Sequence, residues 1–148
     1  MRDYTKIKAW QLADDLTVAI YAATKSFPKE EMYALTNQIR RAAYSVPANI
    51  TEGSSRNTHK DYLHFLYISR GSLSETRYFI HLSERLGYFT KEQAQSLTEQ
   101  AEESSKTLVG LILAVEKEAN PLSRTVAKLS SLLVLSIGSA VCSLQSTV

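Results

Sequence analysis

The sequence contains few of the residues that interrupt or cross-link a chain. Among 148 residues there are 5 Gly, 3 Pro and a single Cys. The single cysteine, Cys142, excludes an intramolecular disulfide and a cysteine-based metal site within one chain, which fits a reducing compartment. So few breakers favour helices. The length is that of one domain, and a composition of 44% hydrophobic and 22% charged residues is that of a folded globular protein.

The sequence also shows no apolar stretch typical of a targeting signal or of a membrane span. Charged residues interrupt every apolar stretch of residues 1–15, so the segment lacks the apolar core of a secretory signal. The longest weakly charged stretch lies near the C-terminus, is rich in Ser and is shorter than the roughly 20 apolar residues that cross a bilayer. We therefore expect a cytoplasmic protein that is not inserted in a membrane.

The motifs of common catalytic and cofactor sites are absent as well. There is no Glu-x-x-His pair of the kind that builds di-iron sites in bundles, and no Gly-x-Ser-x-Gly. Gly53-Ser54-Ser55 lacks the second glycine and the preceding strand of a phosphate-binding loop. We expect no enzymatic activity, no catalytic residues, no cofactor and no metal.

What the sequence does contain is apolar residues at steps of three and four, the period of amphipathic helices. We predict an all-α domain over residues 1–120, an antiparallel up-down four-helix bundle. Its helices are expected over residues 7–27, 31–56, 59–86 and 90–118. The predicted core comprises Trp10, Leu35, Ile39, Val46, Ile50, Leu66, Leu73, Leu97, Leu108 and Leu111.

Local signals set the ends of these helices. Pro28 breaks the first helix, and Glu30 and Glu31 are acids suited to the start of the second. Thr58 or Asn57 is the N-cap residue of the third helix, Gly87 suits its C-terminal end, and Thr90 starts the fourth.

Two of the predicted helices have unusual interiors. Pro47 lies inside the heptad pattern of helix 2, which continues in phase on both sides, so we expect one kinked helix. Helix 3 has apolar residues over a wide arc, which indicates more than one neighbour. Ser69, Gly71 and Ser72 in its middle allow another helix to approach closely.

Residues 121–148 differ from the rest, because they are apolar and Ser-rich and their last 20 residues carry no charge. Three interpretations compete for this tail. We favour an additional helix packed on the bundle or on a partner chain, followed by a disordered segment and then by a membrane-touching segment.

Charge is unevenly distributed along the chain although the net charge is only +2. Residues 1–86 sum to +3, residues 87–120 to −3 and residues 121–148 to +2. An acidic last bundle helix beside basic ones indicates either ordinary pairing of neighbouring faces or one surface left basic.

One polar cluster lies on helix 2. On a helical wheel Arg41, Asn49, Glu52 and Arg56 fall near one another, and the spacing of four suits Glu52 and Arg56 as an ion pair. Such a face is either solvated and internally paired, or buried at a subunit contact, or exposed for phosphate binding.

The same region carries a family resemblance. Its motifs are Phe27-Pro28-Lys29-Glu30, Gln38-Ile39-Arg40-Arg41-Ala42, Ser45-Val46-Pro47-Ala48-Asn49-Ile50, Glu52-Gly53 and Gly71-Ser72-Leu73. In this order, from Trp10 to about Val115, the chain resembles the four-helix bundle proteins encoded in intervening sequences of bacterial 23S ribosomal RNA genes. It departs from the pattern at Thr51, where alanine is usual, and in the tail after Asn120, which has no counterpart.

The resemblance implies a homopentameric ring, association with nucleic acid and no enzymatic activity. A related branch, the accessory variability protein of diversity-generating retroelements, forms a basic pentamer that binds RNA and its reverse transcriptase. The implied partners are therefore further copies of this chain, RNA or DNA, and a protein such as a reverse transcriptase. The rival hypothesis is a structural scaffold that binds a protein partner through the ring or the C-terminal tail.

Four basic residues are the candidate nucleic-acid-binding positions. Arg40, Arg41 and Arg56 are the basic positions of the matching motif, and Lys60 follows in the next segment. The guanidinium group of arginine donates two parallel hydrogen bonds in a geometry that matches the oxygens of a phosphate. The alternative is that Arg41 or Arg56 is held in a salt bridge with Glu52 or Glu75.

Overall fold

The fold is described from a computed structural model, which describes residues 2–120. Four α-helices run over Lys8–Ala23 (α1), Leu35–Ser54 (α2), His59–Arg85 (α3) and Lys91–Ala119 (α4). Each packs on the helices adjacent in sequence, and α1 packs on α4. The described chain is all-α, and the predicted four-helix bundle is confirmed. The prediction of an additional helix after residue 120 lies outside the described residues.

Short 3-10 helices account for the predicted ends that are wrong. The sequence predicts that helix 1 reaches residue 27, but α1 ends at Ala23 and a 3-10 turn covers Thr24–Ser26. It predicts helix 2 from residue 31, but Lys29–Tyr33 is a 3-10 helix and α2 begins at Leu35. Ala34, at φ −113° and ψ −110°, separates the two. Met32, which lies in this 3-10 helix before α2, is exposed.

The core follows the predicted pattern along most of the bundle. Eight of the ten predicted core residues are buried, namely Leu35, Ile39, Val46, Ile50, Leu66, Leu73, Leu97 and Leu108. Trp10 and Leu111 are only partly buried, and Ala9 and Ile112 occupy the neighbouring interior positions instead. In α4 the shift from Leu111 to Ile112 follows from the 3.6-residue helical period, which drifts relative to a strict heptad.

Pro47 lies inside α2, which is a single α-helix, as predicted. Proline has no amide proton, so the carbonyl of Ala43 loses its partner within the helix. Thr17 of α1 fills this gap, since its hydroxyl lies 3.1 Å from Ala43 O and 2.8 Å from Ala13 O and shares its proton between them. The bundle therefore compensates for the proline with a tertiary hydrogen bond.

Small residues bring α2 and α3 together, as the sequence predicted for Ser69 and Ser72. The same prediction is wrong for Gly71, which is exposed and has open space where a Cβ atom would be. Ser69 donates to the carbonyl of Val46 at 2.9 Å, and Ser72 bonds the hydroxyl of Ser45 at 3.0 Å. Gly53 is buried where the two helices meet. Within residues 2–120, no helix combines the length and apolar character that crossing a bilayer requires.

Candidate nucleic-acid interface

Arg40, the first of the predicted basic residues, is half-buried against the end of α1. Its Nε donates to Thr24 Oγ1 at 2.8 Å, and its guanidinium lies 4.9 Å from the centroid of the Tyr21 ring. Arg41 points in another direction, because consecutive helical residues differ by about 100°. It is exposed, and its Nη2 lies 3.3 Å from Gln38 Oε1.

Arg56 lies two residues beyond α2 and forms the predicted ion pair with Glu52. Its guanidinium also lies 4.9 Å from the centroid of the Phe65 ring. Both partners of the ion pair are about half exposed. Because Arg56 is 44% exposed, its guanidinium remains accessible to solvent. An exposed ion pair of this kind contributes on the order of 0–1 kcal/mol to stability.

The four predicted residues do not form one cluster. Arg40 and Arg56 lie toward opposite ends of α2, a helix of 20 residues and hence about 30 Å long. Lys60, the second residue of α3, is exposed near the end of the bundle that carries Arg56. The structure thus places Arg40 beside α1 and Arg41 on the exposed side of α2. Arg56, just after α2, and Lys60, at the start of α3, lie near one end of the bundle.

A face of α3 that the sequence motifs did not reveal is the most distinctive surface of the bundle. Its members recur at steps of four and three, all are exposed, and none is acidic. We call this face the outer stripe; it comprises Lys60, His64, Tyr67, Gly71, Ser74, Tyr78, His81 and Arg85.

The outer stripe combines cations at its ends with tyrosines between them. Lys60 and Arg85 lie in the first and last turns of a 27-residue helix, so the stripe extends for about 37 Å. Tyr67 and Tyr78 project from its middle, 39% and 57% exposed. Gly71 lies between them, and a Cβ atom there would have open space around it. A flat ligand can therefore approach the helix closely at this point.

Two arginines flank the stripe on the side of α4. Arg70 lies 4.9 Å from the centroid of the Tyr67 ring, and Arg77 lies 3.7 Å from Glu102 of α4. Tyr67 donates a hydrogen bond to Glu116 of α4. This hydrogen bond raises the pKa of the Tyr67 phenol, with a further contribution from desolvation, so the phenol stays a neutral donor.

A depression of about 430 Å³ lies between the stripe and α4. Arg77, Tyr78 and His81 line it, together with Ser74, Glu84 and Thr98. The lining presents an aromatic face, several donors and the carboxylate of Glu84, which suits a planar polar group better than an aliphatic one. In the part of the chain described here, no group of three or more His, Cys, Asp or Glu side chains is placed to hold a metal ion.

Charge is segregated within a bundle that is neutral as a whole. Both cationic residues of the tail, Arg124 and Lys128, lie after residue 120, so residues 1–120 carry 15 of the 17 Lys and Arg and all 15 Asp and Glu. Carboxylates are concentrated on α4, which carries six of them against three lysines. Any attraction of an anion therefore depends on local surfaces and not on the net charge.

The sequence held a signal for the outer stripe. The eight residues have the same alternating spacing as a core face, but their side chains are polar or aromatic and include no carboxylate. When the outward-facing positions of a predicted helix are listed at the helical period, the composition of its exposed face can be read from the sequence. The motifs drew attention to the polar face of helix 2 instead, because the arginines are concentrated there.

The fold and this surface define a class of protein: a small up-down four-helix bundle whose distinctive feature is one exposed, basic and aromatic helix face. Residues 5–110 match the family of the 23S rRNA-intervening sequence protein. The chain belongs to this family, as its sequence motifs predicted.

A solved structure supports the assignment. A crystal structure from Bacteroides thetaiotaomicron, described as a protein of unknown function from the S23 ribosomal protein family, is similar to this chain at 27% identity. The similarity covers 70% of this chain and 97% of that one, with a TM-score of 0.66. Among curated proteins, no relative matches.

Proposed function

We propose that this protein is a non-enzymatic homopentamer that binds RNA in the cytoplasm, and that the outer stripe of α3 is the principal contact surface. The observation that carries the proposal is the stripe itself: eight exposed positions in helical register, without a carboxylate, on a bundle of zero net charge. The family description names a ribosomal RNA context and no reaction.

The chemistry of the stripe suits single-stranded RNA. Lysine and arginine bind phosphates, and exposed tyrosines offer faces on which unstacked bases stack. Lys60, Arg70 and Arg85 provide the cations, and Tyr67 and Tyr78 provide the aromatic faces. The acidic α4 lies alongside and repels phosphates, which favours a strand that follows the axis of α3.

Oligomerisation strengthens a contact that is weak in one subunit. A single stripe carries few charges, but five copies in a closed ring bind one strand with a high effective concentration. The avidity of such an assembly exceeds the affinity of each stripe without new contacts. Arg41 and Arg56, exposed on and just beyond α2, extend the cationic surface in this proposal.

The test is RNA retention as a function of salt. Replacing Lys60, Arg70 and Arg85 with Gln removes three exposed cations from α3. We expect weaker binding of a single-stranded RNA and a shallower salt dependence, by roughly 0.7 in the log–log slope for each phosphate that is no longer bound. Affinity measured by fluorescence anisotropy across a salt series checks both quantities.

The matched control replaces Lys8, Lys91 and Lys106 with Gln, which removes the same charge from exposed positions of α1 and α4. An equal loss in both triple variants would show that only the net charge matters, and the stripe would lose its role. A parent protein whose RNA binding does not respond to salt would overturn the proposal. The scaffold hypothesis would then take its place.

A further inference from the structure

A second surface, distant in sequence from the outer stripe, surrounds a cavity between α1 and the start of α2. The cavity has a volume of about 380 Å³. Tyrosines from three segments line it: Tyr21 from α1, Tyr33 from the 3-10 helix before α2, and Tyr44 from α2. We call this surface the tyrosine groove.

The aromatic residues of the groove contribute little to the core. Tyr33 is 92% exposed, and Tyr44 is 46% exposed. Met32, also in the lining, is nearly half exposed. Large apolar side chains grouped around one cavity, and not packed into the interior, mark a contact surface.

Arg40 provides the charge of the groove. Its guanidinium is fixed over the Tyr21 ring and tethered through Nε to Thr24, while no described carboxylate lies within salt-bridge distance. The groove lining contains no acidic residue. A cation held in place and left uncompensated suits an anionic group of a ligand.

Polar groups complete the lining. Thr36 is only 2% exposed, and its Oγ1 has no hydrogen-bond partner among the described residues. The exposed Asn37 lies beside it and has an amide that both donates and accepts. Amides of this kind recognise the edges of bases.

We propose that the tyrosine groove binds a nucleotide, with the base stacked on the exposed tyrosines and the phosphate at Arg40. A volume of about 380 Å³ lies in the range of small-ligand pockets, roughly 300–1,000 Å³. The inference deepens the proposed function and rests on it for the source of the ligand, a base of a single-stranded RNA. A free nucleotide offers the same chemistry, and the experiment separates the two sources.

The experiment compares two single-stranded probes, an oligoadenylate and an oligomer of equal length with abasic sites, by fluorescence anisotropy on the full chain. The wild-type protein should prefer the oligoadenylate. Tyr33→Ala with Tyr44→Ala should reduce that preference by roughly five- to a hundred-fold, the range observed when stacking contacts are removed. Arg40→Gln removes the phosphate contact, which both probes share, so it should weaken the binding of both. Circular dichroism checks that the variants fold.

Arg41→Gln is the matched control, because it removes the same charge one residue away and outside the groove. It should weaken the binding of both probes less than Arg40→Gln does and leave the preference intact. Competition with adenosine monophosphate separates the sources. Displacement of the probe by the free nucleotide, abolished in Arg40→Gln, shows that the groove accepts it, whereas loss of preference without displacement assigns the groove to the strand.

Failure of the groove and failure of the proposed function give different results. If the double tyrosine variant keeps the wild-type preference while the stripe variants bind neither probe, the groove proposal is wrong and RNA binding by α3 stands. If the double tyrosine variant loses the preference while the stripe variants bind normally, α3 is not the main RNA surface. If Arg41→Gln weakens the binding of both probes as much as Arg40→Gln does, the groove proposal fails.

Discussion

At the scale of single residues, Gly53 marks a close approach of α2 to α3. A Cβ atom on Gly53 would lie 2.9 Å from Phe65 Cβ and 2.9 Å from Tyr62 Cδ2. The first of these neighbours is an atom next to the backbone, which cannot move aside without shifting α3. The glycine is therefore required by the helix spacing and not by its own backbone, which is helical.

We predict that Gly53→Ala destabilises the bundle although alanine is the better helix former. Overpacking of this kind costs about 1–3 kcal/mol, which outweighs a gain in helix propensity of up to about 1 kcal/mol. The control is Gly110→Ala in α4, where an added Cβ meets nothing within 4 Å and a stabilisation of about 0.5–1 kcal/mol is expected. Urea unfolding measures both, and equal effects of the two substitutions would contradict the close approach.

Thr17 supports the proline of α2 from outside the helix. Thr17→Val removes the hydroxyl that bonds Ala43 O and leaves a buried carbonyl without its donor, so the free energy of unfolding should fall by about 1–3 kcal/mol. The control is Thr107→Val in α4, because Thr107 bonds only a carbonyl of its own helix, Glu103 O. A decrease in the control as large as in Thr17→Val would mean that the bond between helices adds nothing.

At the scale of elements, the predicted helix ends are confirmed where a single capping residue sets them. The hydroxyls of Thr58 and Thr90 cap α3 and α4, and Thr90 forms a capping box with Gln93. Gly87 adopts a positive φ of 73° just after α3. These signals depend only on neighbouring residues, so the sequence contains them in full.

The predicted start of α2 is wrong because Glu31, which the sequence pattern predicts at the beginning of the helix, instead lies one turn before it. Glu31 serves a helix N-terminus as expected, since its carboxylate accepts from Leu35 N at 3.1 Å. It does so, however, from within the preceding 3-10 helix, and it also accepts from Tyr88 of the α3–α4 connection at 3.1 Å. The tyrosine groove depends on this 3-10 helix, so the sequence pattern did not reveal it.

The first turn of α4 gives a prediction about pH. A hydrogen bond from its own backbone amide, then one involving Thr90, lowers the pKa of Glu92 below its ordinary value. A lowered pKa stabilises the folded state above the ordinary carboxyl pKa, and this contribution is lost as pH falls through the folded value. Melting temperatures should thus be higher for the wild type than for Glu92→Gln at neutral pH, with the gap closing in acid. A gap independent of pH would contradict this role.

At the scale of the whole molecule, the exposed apolar residues favour assembly. Val109 and Leu113 lie one turn apart on α4 and are 39% and 59% exposed. We predict that sedimentation at micromolar concentration shows a species several times the 16.5 kDa monomer, with five copies expected from the family resemblance. Head-to-tail contacts of one surface with another are able to close such a ring.

The α4 pair provides a specific test of the assembly. Leu113→Ser should shift the sedimenting species toward the monomer, because it removes apolar area from the surface that we propose contacts another copy. Val18→Ser, at a residue 64% exposed on α1, is the control and should leave the assembly unchanged. A wild-type protein that sediments as a monomer would remove the ring.

The proline of α2 has a consequence for how the native bundle opens. Because Ala43 O has its donor on α1, the middle of α2 is held partly by another helix. Detachment of α1 therefore loosens α2 around Pro47 at the same time, whereas detachment of α4 does not. Amide hydrogen exchange should show one cooperative unit that joins α1 to the middle of α2, with the interface of α2 and α3 exchanging later. In that order, unfolding of the native state begins with the detachment of α1.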